Sequence, residues 1–391
     1  MRKERPLTRL CRGFFMSLAG LIALTLMAAC QHLPVHSLPS GAAIDAQARN
    51  LMAQQDVKGL ALAVIDKGQI VHVAAYGQRN VERDLSLEAD TIMYGASLTK
   101  AAFAYMVLQL VDEGLFDLDR PLAEYLPKPL YAYETYEPLA QDERWRLLTA
   151  RIVLNHGTGL ANFYWLEEDE KIRFHWDPGT RYGYSGQGFY ILQLALEEGL
   201  GLDINAQMQN RVFDRFGMTR TSMRWRPDFA ENLADGYKLD NSFEPHDERS
   251  NVRAAGSMDT TIADQARLWA GIMRGEGLSN RSRAELVRAG LAIQSAHQFP
   301  PFDPKTDPRG PALGLAAGLG VITFEGPRGR SWFKGGHNDS TGNMLICQEA
   351  GQRCLVMLAN SVRAEKIYPQ IAAFVLGESG MPWWWEYGDA P

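Results

Sequence analysis

The chain has no excess of positive charge. Its 40 Lys and Arg are outnumbered by 46 Asp and Glu, leaving a net charge of −6 over 391 residues. A nucleic-acid binder needs basic residues gathered on a face or along a run, so no nucleic-acid partner is expected. Cysteine is scarce: Cys11, Cys30, Cys347 and Cys354 are all there is, with no C-x-x-C pair. That excludes a disulfide-built scaffold and gives no metal motif; neither a metal nor a cofactor is expected. Low-complexity tracts and repeats of solenoid period are missing as well. What remains is a long chain, 46% apolar, able to bury a substantial core.

The N-terminus carries a different signal. Arg2, Lys3, Arg5, Arg9 and Arg12 precede an apolar run over residues 14–29, broken only by Ser17, Gly20 and Thr25. A basic stretch before an apolar one reads as a signal peptide over residues 1–29, and hence as export to the periplasm. The run ends in "LTLMAAC", which resembles the bacterial lipobox with Met27 in place of leucine. Cys30 is therefore the expected lipidation site, and a lipid there the expected membrane contact. Cleavage before Cys30 by an ordinary signal peptidase, or retention as an anchor, is the alternative. Residues 30–45 read as a tether, 46–378 as the folded domain and 379–391, with Trp383–Trp385, as a tail.

Within the domain, "KGLALAVIDKGQIVHVAAYG" (58–77) predicts a β-hairpin turning at Asp66-Lys67-Gly68. Residues 115–250 are punctuated by Pro and Gly and read as helices and loops. Residues 256–275 predict an amphipathic helix with Ile262, Ala266, Trp269 and Ile272 on one face. Strand-like runs follow at 312–324, 330–334, 342–348 and 353–360, then a helix over 363–377. Cys347 and Cys354 flank a turn at Ala350-Gly351, which places them opposite each other and predicts a disulfide, with two reduced cysteines as the alternative. Strands from both ends of the chain must share one sheet, so the class is α+β, with a helical region beside an antiparallel sheet flanked by helices.

"YGASLTKAAFAYMVLQLVDEG" (94–114) carries the chemistry. Phe103, Met106, Val107, Leu110 and Val111 give one face of a helix that Gly114 stops. Ser97 and Lys100, three apart, share its first turn. A serine hydroxyl is a weak nucleophile until a neighbour takes its proton, and a desolvated lysine amine can do so. An N-cap serine followed by a solvated lysine would give the same four letters.

Two further stretches bear on that choice: "HWDPGTRYGYSGQGFYIL" (175–192) and "FKGGHNDSTGNM" (333–344). Together with "LVDEGLFDLDRPLAEYLP", "LNHGTGLANF" and "AAGSMDTTIAD", their order resembles the serine β-lactamase and penicillin-recognising hydrolase superfamily, in its class C-like branch. The resemblance runs from about residue 43 to 377 and implies a β-lactamase/transpeptidase-like fold. It implies Ser97 as the acylated nucleophile, Lys100 as its activator, Tyr184 as a proton shuttle and Lys334 as the positive charge beside Tyr184 and the substrate carboxylate. The oxyanion hole would be the backbone N–H groups of Ser97 and His337, with Gly186, Gly335, Gly336 and Asn338 against the substrate.

The family's Y-A-N reads Tyr184-Ser185-Gly186 here, and its K-T-G reads Lys334-Gly335-Gly336. Gly186 removes an amide that contacts the acylamino group of penicillins, and Gly335 removes a hydroxyl near the substrate carboxylate. Nucleophile, base and oxyanion donors remain. The expected activity is β-lactam ring opening, with carbapenems losing least. A D-alanyl-D-alanine carboxypeptidase, a small-ester esterase or a non-catalytic penicillin-binding or sensing module would show the same motifs. An α/β-hydrolase is the less favoured alternative, since "GASLT" has Thr99 in place of the second glycine of G-x-S-x-G.

Overall fold

The computed structural model describes residues 37–388. The expected signal peptide, Cys30 and the first part of the tether, residues 30–36, lie outside them. Nine strands form one sheet: β1 (Gly59–Asp66), β2 (Gln69–Asn80), β3 (Leu85–Ser86), β4 (Leu291–Ala292), β5 (Ala316–Ala317), β6 (Ile322–Gly326), β7 (Gly329–His337), β8 (Gly342–Gln348) and β9 (Arg353–Ala359). Their order is β3-β2-β1-β9-β8-β7-β6-β5-β4, with antiparallel neighbours. The predicted hairpin is β1–β2, and β1 pairs with β9, so strands from the two ends of the chain meet at the centre.

β1 shows why both faces of this sheet are covered. Leu60, Leu62 and Val64 point into one buried cluster, and Ala61, Ala63 and Ile65 into another. The first cluster packs α1 (Gly41–Gln55) and α5 (Tyr368–Leu376) on the sheet; the second packs α2 (Leu98–Asp112) and α4 (Ile262–Met273). A strand covered on both sides reads as a continuous apolar run.

α2 is not the half-exposed helix that its pattern suggested. Every residue from Leu98 to Leu110 is buried, because α2 lies between the sheet and the helical region. A helix apolar all round is a core helix. Gly114, at φ +71, ends it.

Several boundaries are corrected. Residues 41–45 belong to α1, capped by Ser40, and Ile44 is buried, so they are not tether. The run 312–324 is broken by a turn and gives only β5 and the start of β6. Residues 256–260 precede α4 and include a short strand, Asp259–Thr260; α4 starts where the Thr261 side chain accepts from Asp264 N–H. Much of 115–250 is single turns of 3₁₀ helix and loop, with one long helix, α3 (Gly186–Leu200). Cys347 faces Cys354 across the β8–β9 hairpin, and the two are joined as a disulfide.

The tail is also part of the fold. A last helix, α6 (Trp383–Tyr387), places Trp385 in the core against Tyr182 and Phe333, with its indole N–H donating to Ser295 Oγ at 3.2 Å. Sequence periodicity could not show this, since a five-residue element has no pattern to read. Replacing a buried tryptophan by alanine costs about 3–5 kcal/mol. Trp385→Ala is expected to lower unfolding stability by that amount in urea titration; a loss under about 1 kcal/mol would mean that the segment is not docked.

Candidate active site

The turn that leads into α2 sets the geometry. Ala96 is held at φ +45, a left-handed conformation that costs a non-glycine residue about 1–2 kcal/mol. The Thr99 hydroxyl offsets part of this strain by donating to Ala96 O at 2.6 Å and accepting from Met258 N–H at 3.1 Å. Ser97 occupies the N-cap position of α2, yet its side chain makes no capping bond. The hydroxyl is engaged instead by two side chains. Lys100 Nζ lies 3.1 Å from Ser97 Oγ, and the Tyr184 hydroxyl donates to the same oxygen at 2.8 Å.

Lys100 is only 1% exposed. Its amine donates to Ala255 O at 2.7 Å, and among the described residues no carboxylate is hydrogen-bonded to it. Burying an unpaired ammonium costs several kcal/mol, so the group sheds its proton instead. Burial, and then the nearby Lys334 charge, hold its pKa well below the usual lysine value. A neutral amine keeps a lone pair to accept from Ser97 O–H.

Tyr184 comes just before α3. Ser185 caps that helix, accepting from Gly188 N–H at 3.1 Å and donating to Ala161 O at 2.9 Å. His156 stacks on the Tyr184 ring at 4.4 Å and accepts from Ser185 N–H at 3.1 Å through Nδ1. Burial drives the His156 pKa well down, so the ring is neutral and serves to position Tyr184. Burial also pushes the Tyr184 phenol up, which keeps it protonated. Lys334, from β7, donates to Tyr184 Oη at 3.4 Å and to Gly335 O at 2.7 Å.

Gly336 is pressed against the start of α2. A Cβ there would stand 3.0 Å from both Ser97 N and Leu98 N, so the strand carrying His337 passes beside the Ser97 amide. The His337 ring packs edge-on to Phe299 at 5.8 Å and is 3.6 Å from Glu365 through Nδ1. Asn338 also lines the cleft, its side-chain oxygen accepting from Ser340 N–H at 3.0 Å.

The cleft holds about 300 Å³. One wall is aromatic: Phe163 stacks on Trp165 at 4.5 Å and on Tyr190 at 5.7 Å. A second, polar cleft of about 530 Å³ adjoins it across Tyr94, Arg253, Gly256 and Asn338. His246 lies on that side, 3.2 Å from an Asp259 oxygen that already accepts from Arg249 at 2.8 Å.

Gly335 and Gly336 line this cleft, but Gly186 does not. A Cβ at Gly186 would meet Phe163 Cε1 at 2.6 Å and Asn162 Oδ1 at 3.0 Å. Asn162 accepts from Gly186 N–H at 2.9 Å and itself lines the cleft. An amide from a different loop therefore occupies the space beside Gly186. Sequence reading also missed Phe163, Phe299, Gln298 and Glu386. Asn162 and Phe163 sat within a quoted stretch; Phe299, Gln298 and Glu386 arrive from segments with no local signal.

Residues 44–376 match the Beta-lactamase family. The chain belongs to that family. The unguisins hydrolase ungD of Aspergillus violaceofuscus is 23% identical over 69% of this chain and 54% of its own length. The D-alanyl-D-alanine-carboxypeptidase/endopeptidase AmpH of Escherichia coli is 25% identical over 49% of this chain and 51% of its own. The chain thus spans about half the length of these curated relatives. A solved class C beta-lactamase superposes with a TM-score of 0.66 at 17% identity, covering 84% of this chain and 94% of that one, which shows a shared β-lactamase/transpeptidase-like fold.

Because Lys100 binds its proton more weakly in the folded chain than the unfolded one, the unfolded state holds more protons between the depressed pKa and 10.5. Stability contributed by this group therefore rises with pH across that window. The rise in urea midpoint toward pH 10 is expected to be shallower in Lys100→Met than in the parent chain; equal slopes would mean that Lys100 is charged in the fold.

Proposed function

We propose that this member of the Beta-lactamase family is a hydrolase that cleaves an ester or amide, the β-lactam ring included, through an acyl-enzyme on Ser97. The observation that carries this reading is the convergence of a buried Lys100 amine and a Tyr184 hydroxyl on one serine oxygen, at 3.1 and 2.8 Å. A hydroxyl flanked by a neutral base and a fixed proton donor is set up for nucleophilic attack.

Ser97 Oγ adds to the substrate carbonyl carbon as its proton passes to Lys100 Nζ. The carbonyl oxygen takes up negative charge, which the Ser97 and His337 amides would stabilise. When the tetrahedral intermediate collapses, the bond to the leaving nitrogen or oxygen breaks. The leaving atom takes a proton from Tyr184, which regains one from the Lys100 ammonium. Lys334 holds positive charge beside the phenol during this exchange. Water then attacks the acyl-enzyme by the same proton route in reverse.

A preference for carbapenems was expected from an amide missing at Gly186; Asn162 and Phe163 fill that place, so we do not carry the preference forward. Carboxypeptidase action on D-alanyl peptides and esterase action use the same chemistry. Export to the periplasm and lipidation at Cys30 are proposed from the N-terminal sequence, and the mass of the mature N-terminus tests them.

The purified chain and Ser97→Ala should be mixed with a penicillin, a cephalosporin and an activated aryl ester, following product release and protein mass. Turnover or a stable acyl adduct in the parent chain, both lost in Ser97→Ala, is the expected result. An adduct that persists in Ser97→Ala would overturn the nucleophile. For any substrate turned over, kcat/KM should fall as pH drops through the depressed Lys100 pKa, well below 10.5. Lys100→Arg, which cannot act as a base, should lose about 10²–10⁴-fold.

A further inference from the structure

The last helix does more than fill the core. Glu386 is 7% exposed, and it lines the catalytic cleft beside Lys334 and Gly335. Its carboxyl lies so close to the strand that a Cβ on Gly335 would overlap Oε1. Gln298 holds the segment twice: its backbone N–H donates to Trp385 O at 2.9 Å, and its side-chain amide donates to Glu386 Oε2. Tyr182 fixes Gln298 in turn, donating to its side-chain oxygen at 3.2 Å. The carboxyl is therefore fixed within the site, and the side-chain-free residue at 335 is what makes room for it.

We propose that Glu386 is a specificity-determining residue, whose carboxyl fills the ground beside Lys334 where a substrate carboxylate would dock, so that the enzyme favours esters or amides with no carboxylate on the leaving side. This inference rests on the acyl-enzyme reading above. The physical reason is short-range repulsion in a buried site, where a second carboxylate brought beside Glu386 forces one of the two to give up its charge. A hydroxyl in the same place would have donated to a substrate carboxylate; Glu386, whose carboxyl pKa is pushed up to about 7 by burial, opposes it with a like charge above that pH. The lysine stays available to Tyr184, with Glu386 favouring its charged form.

Two aryl esters that differ in one group test this: meta-carboxyphenyl phenylacetate and meta-carbamoylphenyl phenylacetate. The full chain is expected to favour the carbamoyl ester by at least about tenfold in kcat/KM, and Glu386→Gln, which keeps shape and removes charge, to cut that ratio at least about tenfold. Equal or faster hydrolysis of the carboxylated ester by the parent chain, or an unchanged ratio in Glu386→Gln, overturns the proposal. Hydrolysis that persists in Ser97→Ala, or its absence with both esters, would instead count against the acyl-enzyme reading. In that case the Kd values of the two esters for Ser97→Ala and for Ser97→Ala with Glu386→Gln decide the role of Glu386 by the same ratio.

Discussion

The site is organised around one unfavourable burial. Lys100 is enclosed by Tyr184, Phe189 and Ala255, with a carbonyl oxygen as its closest acceptor besides Ser97. An ammonium there would lack a counter-charge, and the protein avoids that cost by leaving the amine neutral. Other features follow from the same fact. A neutral amine can accept the serine proton, and the Ser97 hydroxyl is drawn away from the capping role its position would ordinarily give it. Lys334, held beside Tyr184, further lowers the Lys100 pKa by like charge. Burial stabilises neither lysine, which places this cluster among the positions where a fold keeps strain for chemistry.

Gly186 and Gly335 share a common form. Neither carries a side chain, and in both places a side chain from elsewhere in the chain takes the space. Asn162 brings an amide to the first, and Glu386 brings a carboxyl to the second. The amide is neutral, whereas the carboxyl is a titratable acid. Such replacements leave Ser97, Lys100 and Tyr184 in place while changing the lining around them.

How much of this could be read from the sequence depended on distance along the chain. Ser97 and Lys100 share one helical turn, so their spacing placed them together. The β1–β2 and β8–β9 hairpins, and the pairing of Cys347 with Cys354, followed from local alternation and turn residues. Tyr184 and Lys334 were found only because their surroundings resembled a family, since nothing local links residue 184 to residue 97. Glu386 was out of reach: it belongs to a five-residue helix, and its place is fixed by Trp385 packing against Tyr182 and Phe333. The burial of α2 on all sides was hidden for a related reason, because periodicity reports the most apolar face and not what covers the others.

The protonation state of Lys100 is the central claim. It can be measured by following the side-chain nitrogen of ¹⁵N-lysine-labelled protein by NMR across pH, assigning the resonance by its loss in Lys100→Met. The account predicts an amine that gives up its proton well below the 10.5 of an ordinary lysine. A Lys100 resonance that titrates at or above that value would contradict it, and the serine would then need another base.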